Sequence, residues 1–114
     1  MPIQKGSVYL ADLNPRVGTE PGKLRPVAVI QTNLLNDANH PSTLICPLTT
    51  QVTLKTRWLR IHLKKGEAGL SQDSDILMDQ VRAIDNRRLK QKLGELPVRS
   101  RVQVRESLKV ILDL

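Results

Sequence analysis

Phenylalanine is absent from this chain of 114 residues, and Tyr9 and Trp58 are its only aromatic side chains. A core of stacked rings is therefore excluded. Burial must come from Val, Leu and Ile, within a hydrophobic share of 39% that suffices for one modest core. The single cysteine, Cys46, excludes an internal disulfide and a zinc site built on cysteine pairs. It points to a reducing compartment. No apolar run approaches the ~18 residues of a membrane span, and no charged-then-apolar leader opens the sequence. The expected location is the cytoplasm, with no membrane partner. A glycine-rich phosphate loop ending in Lys-Ser/Thr is missing, as is a nucleophile elbow. The two histidines are His40, in an Asn-His-Pro turn, and His62, on the polar face of an alternating run. Either could serve as a general base, but neither position favours it.

What the chain has in excess is positive charge, +7 at neutral pH with a pI near 10.1. Such a surplus favours a polyanionic partner, RNA or DNA, although lysine and arginine also simply solvate small domains. The charge is uneven. Residues 1–54 hold only Lys5, Arg16, Lys23 and Arg25, and every other basic residue lies from Lys55 onward. The length fits a single domain spanning 1–114, with no repeat, linker or low-complexity tract.

Short strands dominate the pattern. Residues 7–13 (SVYLADL) alternate and stop at Asn14-Pro15, a turn signal. Continuous apolar strands are expected over 26–31 and 42–48. Residues 57–63 (RWLRIHL) set Trp58, Arg60 and His62 against Leu59, Ile61 and Leu63. A strand over 75–83 is interrupted near Asp79-Gln80. One helical turn fits 33–39, and Asp85 can cap a short helix over 86–89. Residues 90–96 fit a helix or a strand. Ser100 can cap a terminal helix whose Val104, Leu108, Ile111 and Leu112 form one apolar stripe. Many strands with one terminal helix give a small α+β domain around a strongly bent sheet or barrel.

The segment Leu24-Arg25-Pro26 stands out, because it places an arginine at the entrance to an apolar strand. Pro26 drives Arg25 toward extended backbone, and proline is tolerated where a strand begins. The preceding loop, 18–23 (GTEPGK), has glycines that permit unusual dihedrals and can fold over a ligand as a lid. Arginine is a poor base but a good phosphate clamp, suited to charge building on a phosphorane-like transition state. It can equally pair with Asp12, Asp79 or Glu20 and tie the loop down. Thr49 and Thr50 end the strand of "STLICPLTT", where hydroxyls donate to phosphate or merely start a turn. Asp73, Asp75, Asp79 and Asp85 could gather a magnesium ion, but the strand break and the nearby Arg82, Arg87 and Arg88 favour ion-paired or capping roles. No cofactor is expected.

Taken in order, "KGSVYLADLNPRVGTEPGKLRPVAVIQTN", "STLICPLTT" and "DSDILMDQVRAIDNRRL" resemble the MazF/PemK toxins of bacterial type II toxin–antitoxin systems, over nearly the whole chain. The resemblance implies an SH3-like, partly closed antiparallel β-barrel with short helices and a C-terminal helix, the fold shared by CcdB- and PemK-like plasmid maintenance toxins. It implies a homodimer acting as a ribosome-independent, metal-independent endoribonuclease that cuts single-stranded mRNA at a short sequence. It implies 2′,3′-cyclic phosphate and 5′-OH ends, and an acidic antitoxin as partner. The family's two catalytic residues fall on Arg25 and Thr49, with Thr50 next door. The RNA-reading surfaces it suggests are Asn14, the lid (Thr19, Glu20, Gly22, Lys23), Thr50, Asp79 and Gln80, with Lys55, Arg57 and Arg60 on flanking phosphates. Pro21 departs from the Gln or Gly often found in that lid. Tyr9 and Trp58 can be core or dimer residues, or stacking platforms.

Two rivals belong to other classes. A CcdB-like toxin of the same fold poisons DNA gyrase and cuts nothing, and the apolar end "VILDL" keeps that reading open. A basic RNA-binding module without catalysis is the other.

Overall fold

The computed structural model describes residues 2–14, 18–19, 23–53 and 58–114. Seven strands form one antiparallel system: β1 (Ser7–Asp12), β2 (Leu24–Val29), β3 (Ser42–Thr49), β4 (Arg60–Leu63), β5 (Ser74–Leu77), β6 (Arg82–Asp85) and β7 (Leu89–Glu95). Two α-helices accompany them, α1 (Asn33–Asp37) and α2 (Val98–Leu112). The strands run in the order β4-β5-β3-β2-β1-β7, with β6 also pairing β3. The sheet curls but does not close, so the architecture is α+β with an open, barrel-like sheet.

Alternation along the central strands serves two cores at once. In β1, Val8 joins a cluster with Ala28, Cys46, Leu48, Ile61, Leu63, Ile76, Met78 and Val104. Tyr9 and Ala11 point into the other, with Leu13, Val27, Val29, Ile45 and Ile84. Tyr9 is thus a core residue, whereas Trp58 is 41% exposed and sits in a turn before β4. The first cluster is capped by α2, where Val104 is buried and Leu108 and Ile111 pack against it; the fourth residue of the expected stripe, Leu112, is instead exposed at the end of the helix.

Strand β2 begins earlier than the apolar pattern suggests. Leu24 and Arg25 already pair with Asp12 and Ala11 of β1. Pro26 lies inside the strand rather than at its first residue. The strand tolerates it because pairing with β3 starts one residue later, at Val27. The break at Asp79-Gln80 takes the form of a single 3₁₀ turn, Met78–Gln80, between β5 and β6. Both flanking strands pair the same neighbour: β5 meets Leu48 and Thr49, and β6 meets residues 42–45. The turn therefore leaves the sheet at the level of Cys46 and Pro47.

Asp85 does cap the short 3₁₀ turn Asn86–Arg88, accepting from the Arg87 backbone N–H. Its carboxyl is lowered to about 2, chiefly by the hydrogen bond from the Arg87 side chain. Residues 89–95 form a strand, β7, along the free edge of β1. It is held there by a close approach. A methyl group on Gly94 would stand 2.6 Å from the Ala68 carbonyl carbon, and one on Gly69 would stand 2.0 Å from the Leu93 carbonyl oxygen. Gly94→Ala is accordingly expected to destabilise by about 1–3 kcal/mol through overpacking against backbone. Thermal melts would read this as a clear fall in melting temperature, and an unchanged value would refute the tight packing.

Ser100 is not the cap of α2. The helix starts three residues earlier, after Pro97, and no side chain caps it. Proline near a helix start is pre-organised for the turn that follows. Ser100 is instead fully buried, and its hydroxyl has no hydrogen-bond partner. Ser100→Ala should therefore leave stability unchanged or raise it, by up to ~1 kcal/mol, since alanine is the better helix former and removes an unsatisfied group. Denaturant titration would show this as an equal or higher midpoint.

Candidate active site

The N-terminal half of β2, which pairs with β1 but not with β3, and the C-terminal end of β3 face the turn between β5 and β6 across a cleft of about 810 Å³. Arg25 reaches it from β2. Its Nη1 donates to the Leu48 carbonyl oxygen at 3.2 Å, so the guanidinium lies against the strand end that carries Thr49. Arg25 is half-buried. Extended backbone imposed by the following proline keeps it on a rigid element.

Thr49 is the last residue of β3, in register with Asp75 of β5. Its Oγ1 accepts from the Gln51 backbone N–H at 3.1 Å. A hydroxyl that accepts in this way still has its proton to donate. Thr50 is exposed beyond the strand end and lines the same cleft.

The loop that joins β1 to β2 has a pinned base. Asn14 Oδ1 accepts from the Lys23 N–H at 2.8 Å, and the Leu13 N–H donates to the Lys23 carbonyl at 2.9 Å. Arg88 Nη1 donates to the carbonyl oxygens of Asp12 and Asn14, which braces the end of β1. Lys23 itself has φ 65°, a left-handed conformation unusual for a side-chain-bearing residue. Asn14 thus ties the start of the loop to its end as well as lining the cleft.

Asn14, Thr19, Lys23, Arg25, Thr49, Thr50, Asp79 and Gln80 all line this one cleft. Glu20, Gly22, Lys55 and Arg57 fall outside the described residues. Arg60, weighed above as a flanking phosphate contact, lies within the cleft wall, as do Gln51, Thr53, Leu59, Ser74 and Leu77, which the pattern did not single out. Their signal was weak, because each belongs to a polar loop or a strand end with no motif of its own. Among the described residues the charged lining is Lys23, Arg25 and Arg60 against Asp79, a net positive set.

The acidic residues disperse. Asp75 is fully buried and bonded to Arg60 and His62. Asp73 accepts from the Lys65 N–H, and Asp85 caps. Of these four aspartates, Asp79, exposed on the 3₁₀ turn, is the one that lines the cleft. Cys46 lies behind that turn, with its thiol pushed up to about 12 by burial and, secondarily, by the Asp79 charge. It is a packing residue and not a nucleophile. His40 is exposed in its turn and is not among the cleft-lining residues.

A family model for PemK-like, MazF-like toxins of type II toxin–antitoxin systems matches residues 4–112. The chain belongs to this family. It is 35% identical to the endoribonuclease EndoA of Bacillus subtilis over 114 residues, covering 100% of this chain and 97% of the relative. In fold it matches MazF of Deinococcus radiodurans with a TM-score of 0.83 at 24% identity, covering 100% of this chain and 99% of the other. It likewise matches the MazE–MazF structure from the same organism with a TM-score of 0.79 at 24% identity, over 100% and 98% of the two chains. No helix among the described residues is long and apolar enough to cross a membrane.

Proposed function

We propose that this MazF-like toxin is a sequence-specific endoribonuclease whose reaction centre is the Arg25–Thr49 pair. The observation that carries the reading is the Arg25 guanidinium resting on the carbonyl of Leu48, one residue before Thr49, inside a positively lined cleft. The reaction is an internal transesterification. The ribose 2′-oxygen attacks the adjacent phosphorus and loses its proton. The bond from phosphorus to the 5′-oxygen of the next nucleotide breaks, and that oxygen takes up a proton. The products are a 2′,3′-cyclic phosphate and a 5′-OH.

Arg25 neutralises the charge that grows on the non-bridging oxygens, and Thr49 donates to one of them. Fixed cations and donors of this kind act through pre-organisation, so a resident metal ion is not required. Base selection falls to groups facing unstacked nucleotides. Asp79 accepts from a base amino group, Gln80 pairs with donor or acceptor edges, and Asn14, Thr19, Glu20, Gly22, Lys23 and Thr50 shape the lid side. Lys55 and Arg57 hold flanking phosphates.

The chain works as a homodimer and is held in check by an acidic antitoxin. The relative crystallised as MazE–MazF supports such a pairing. A +7 protein suits an acidic, disordered tail laid across the cleft, making RNA and antitoxin mutually exclusive.

The test is incubation of the purified protein with a long natural RNA, with a chelator and without ribosomes, followed by mapping of new 5′ ends. Discrete cuts at one short motif bearing 5′-OH ends support the reading. Intact RNA overturns it. Trapped gyrase–DNA complexes would then mark a CcdB-like poison, and an RNA shift without cleavage a binding module.

A further inference from the structure

Behind the cleft lies a charged residue that the reaction scheme above leaves without a task. Asp75 has no exposed surface. It sits on β5 between Thr49 of β3 and His62 of β4. A buried carboxylate is unfavourable unless every oxygen is matched, and apolar side chains fill such positions more easily. Here both oxygens are matched. Oδ2 accepts from the Thr53 backbone N–H at 2.9 Å and from Arg60 Nη1 at 3.4 Å, and Oδ1 faces His62 Nδ1 at 3.1 Å.

Arg60 carries the connection onward. The same Nη1 donates to the Gln51 carbonyl oxygen at 2.8 Å. The Gln51 N–H is held in turn by Thr49 Oγ1. One carboxylate therefore organises the loop from Thr49 to Thr53 at three points: Thr53 directly, Gln51 through Arg60, and Thr49 through Gln51. Arg60 also lines the same cleft as Arg25, its side chain 27% exposed. Among the described residues only its Nη1 is held. The remaining fork of donors is oriented and available, which is the geometry that matches a phosphate.

We infer that Arg60 is a second RNA-phosphate contact in the cleft, and that Asp75 is the positioning residue that aims it. The inference rests on the endoribonuclease reading and goes beyond it. Arg25 serves the reacting phosphate, whereas Arg60, tied to the loop after Thr49, takes a neighbouring one and thereby fixes the register of the RNA over the Thr49 hydroxyl. The ion pair with Asp75 does not cancel this role. It consumes one edge of the guanidinium and sets the direction of the other.

The experiment measures RNA affinity as a function of salt. The probe is a single-stranded RNA containing the mapped cut site, made uncleavable by a 2′-deoxy nucleotide at the scissile position. The proteins are wild type, Arg60→Gln, Arg60→Lys and Asp75→Asn, each with its melting temperature measured. Arg60→Gln should weaken binding about tenfold and reduce the slope of log Kd against log salt by about 0.7, the value for one phosphate on a single strand. An unchanged slope would overturn the phosphate contact.

Asp75→Asn removes the charge that aims Arg60 but leaves the arginine in place, so, like Arg60→Lys, it should keep the slope and lower affinity about fivefold. A lowered melting temperature with wild-type affinity would make Asp75 structural only. Arg60→Lys tests positioning without depending on the Asp75 variant folding. A lysine keeps the charge and the slope, but it cannot serve Gln51, Asp75 and a phosphate together, so affinity should fall about fivefold. Wild-type affinity with lysine would overturn the positioning role. Failure of the underlying reading looks different, because wild-type protein would then leave natural RNA uncut.

Discussion

Arg25→Ala is expected to lower the single-turnover cleavage rate by about 10³-fold or more, the scale on which arginine acts in phosphoryl transfer. The physical reason is local. In the proposed transesterification negative charge accumulates on the phosphoryl oxygens as the 2′-oxygen attacks, and a fixed, half-buried cation beside them offsets it. Among the described cleft residues, Arg25 is the cation whose guanidinium is bonded to the strand end beside Thr49. Melting temperature should change little, because the residue is half-buried near the N-terminal end of β2 and its backbone pairing with Ala11 needs no side chain. Arg25→Lys keeps the charge but not the planar fork, so it should recover only part of the loss and remain roughly 10²-fold slow. Quenched single-turnover assays with the mapped RNA give these rates directly. Cleavage by the alanine variant at the wild-type rate would reduce Arg25 to a loop anchor.

How far the sequence alone leads to this cleft depends on which force decides each element. Arg25-Pro26 and the break at Asp79-Gln80 are legible because proline geometry and an interrupted apolar pattern are local effects. The onset of β2 is not, since Leu24 is 55% exposed and Arg25 is polar. Pairing with Ala11 and Asp12 of β1 extends the strand past its apolar part. Residues 89–95 are ambiguous for a related reason. Lys90, Gln91 and Lys92 are exposed and carry no periodicity, so the free edge of β1 decides for a strand. Ser100 resembles a cap only until Pro97 starts the helix three residues sooner.

The role of Asp75 is the least legible of all. A carboxylate in a strand gives no sign of burial, and its partners come from β4 and from the loop after β3. Local patterns thus show where the chain turns and which groups stand at the strand ends. Groups that act through contacts between distant segments emerge only once the sheet is assembled.

Thr49→Ala is the second large effect, an expected loss of about 10²-fold in the same single-turnover rate, typical for removing one donor to a developing oxyanion. The neighbouring hydroxyl should matter far less, with Thr50→Ala staying within about threefold of wild type, as expected for a group outside the reacting geometry. The distinction follows from placement. Thr49 is half-buried at the last ladder position of β3, and accepting from the Gln51 N–H fixes its Oγ1. Its proton is thereby directed away from Gln51. Thr50 is exposed beyond the sheet, so ordering its hydroxyl against a phosphate must be achieved anew each time RNA binds. Thr49→Ser, which keeps the hydroxyl but loses the methyl group that restricts its rotamer, should recover most of the rate. If Arg25 and Thr49 address one phosphoryl group, as proposed, the double alanine variant should be little slower than Arg25→Ala alone. Multiplying losses would instead mean that the two residues act at separate steps, and a larger effect at Thr50 than at Thr49 would move the catalytic hydroxyl one residue along the chain.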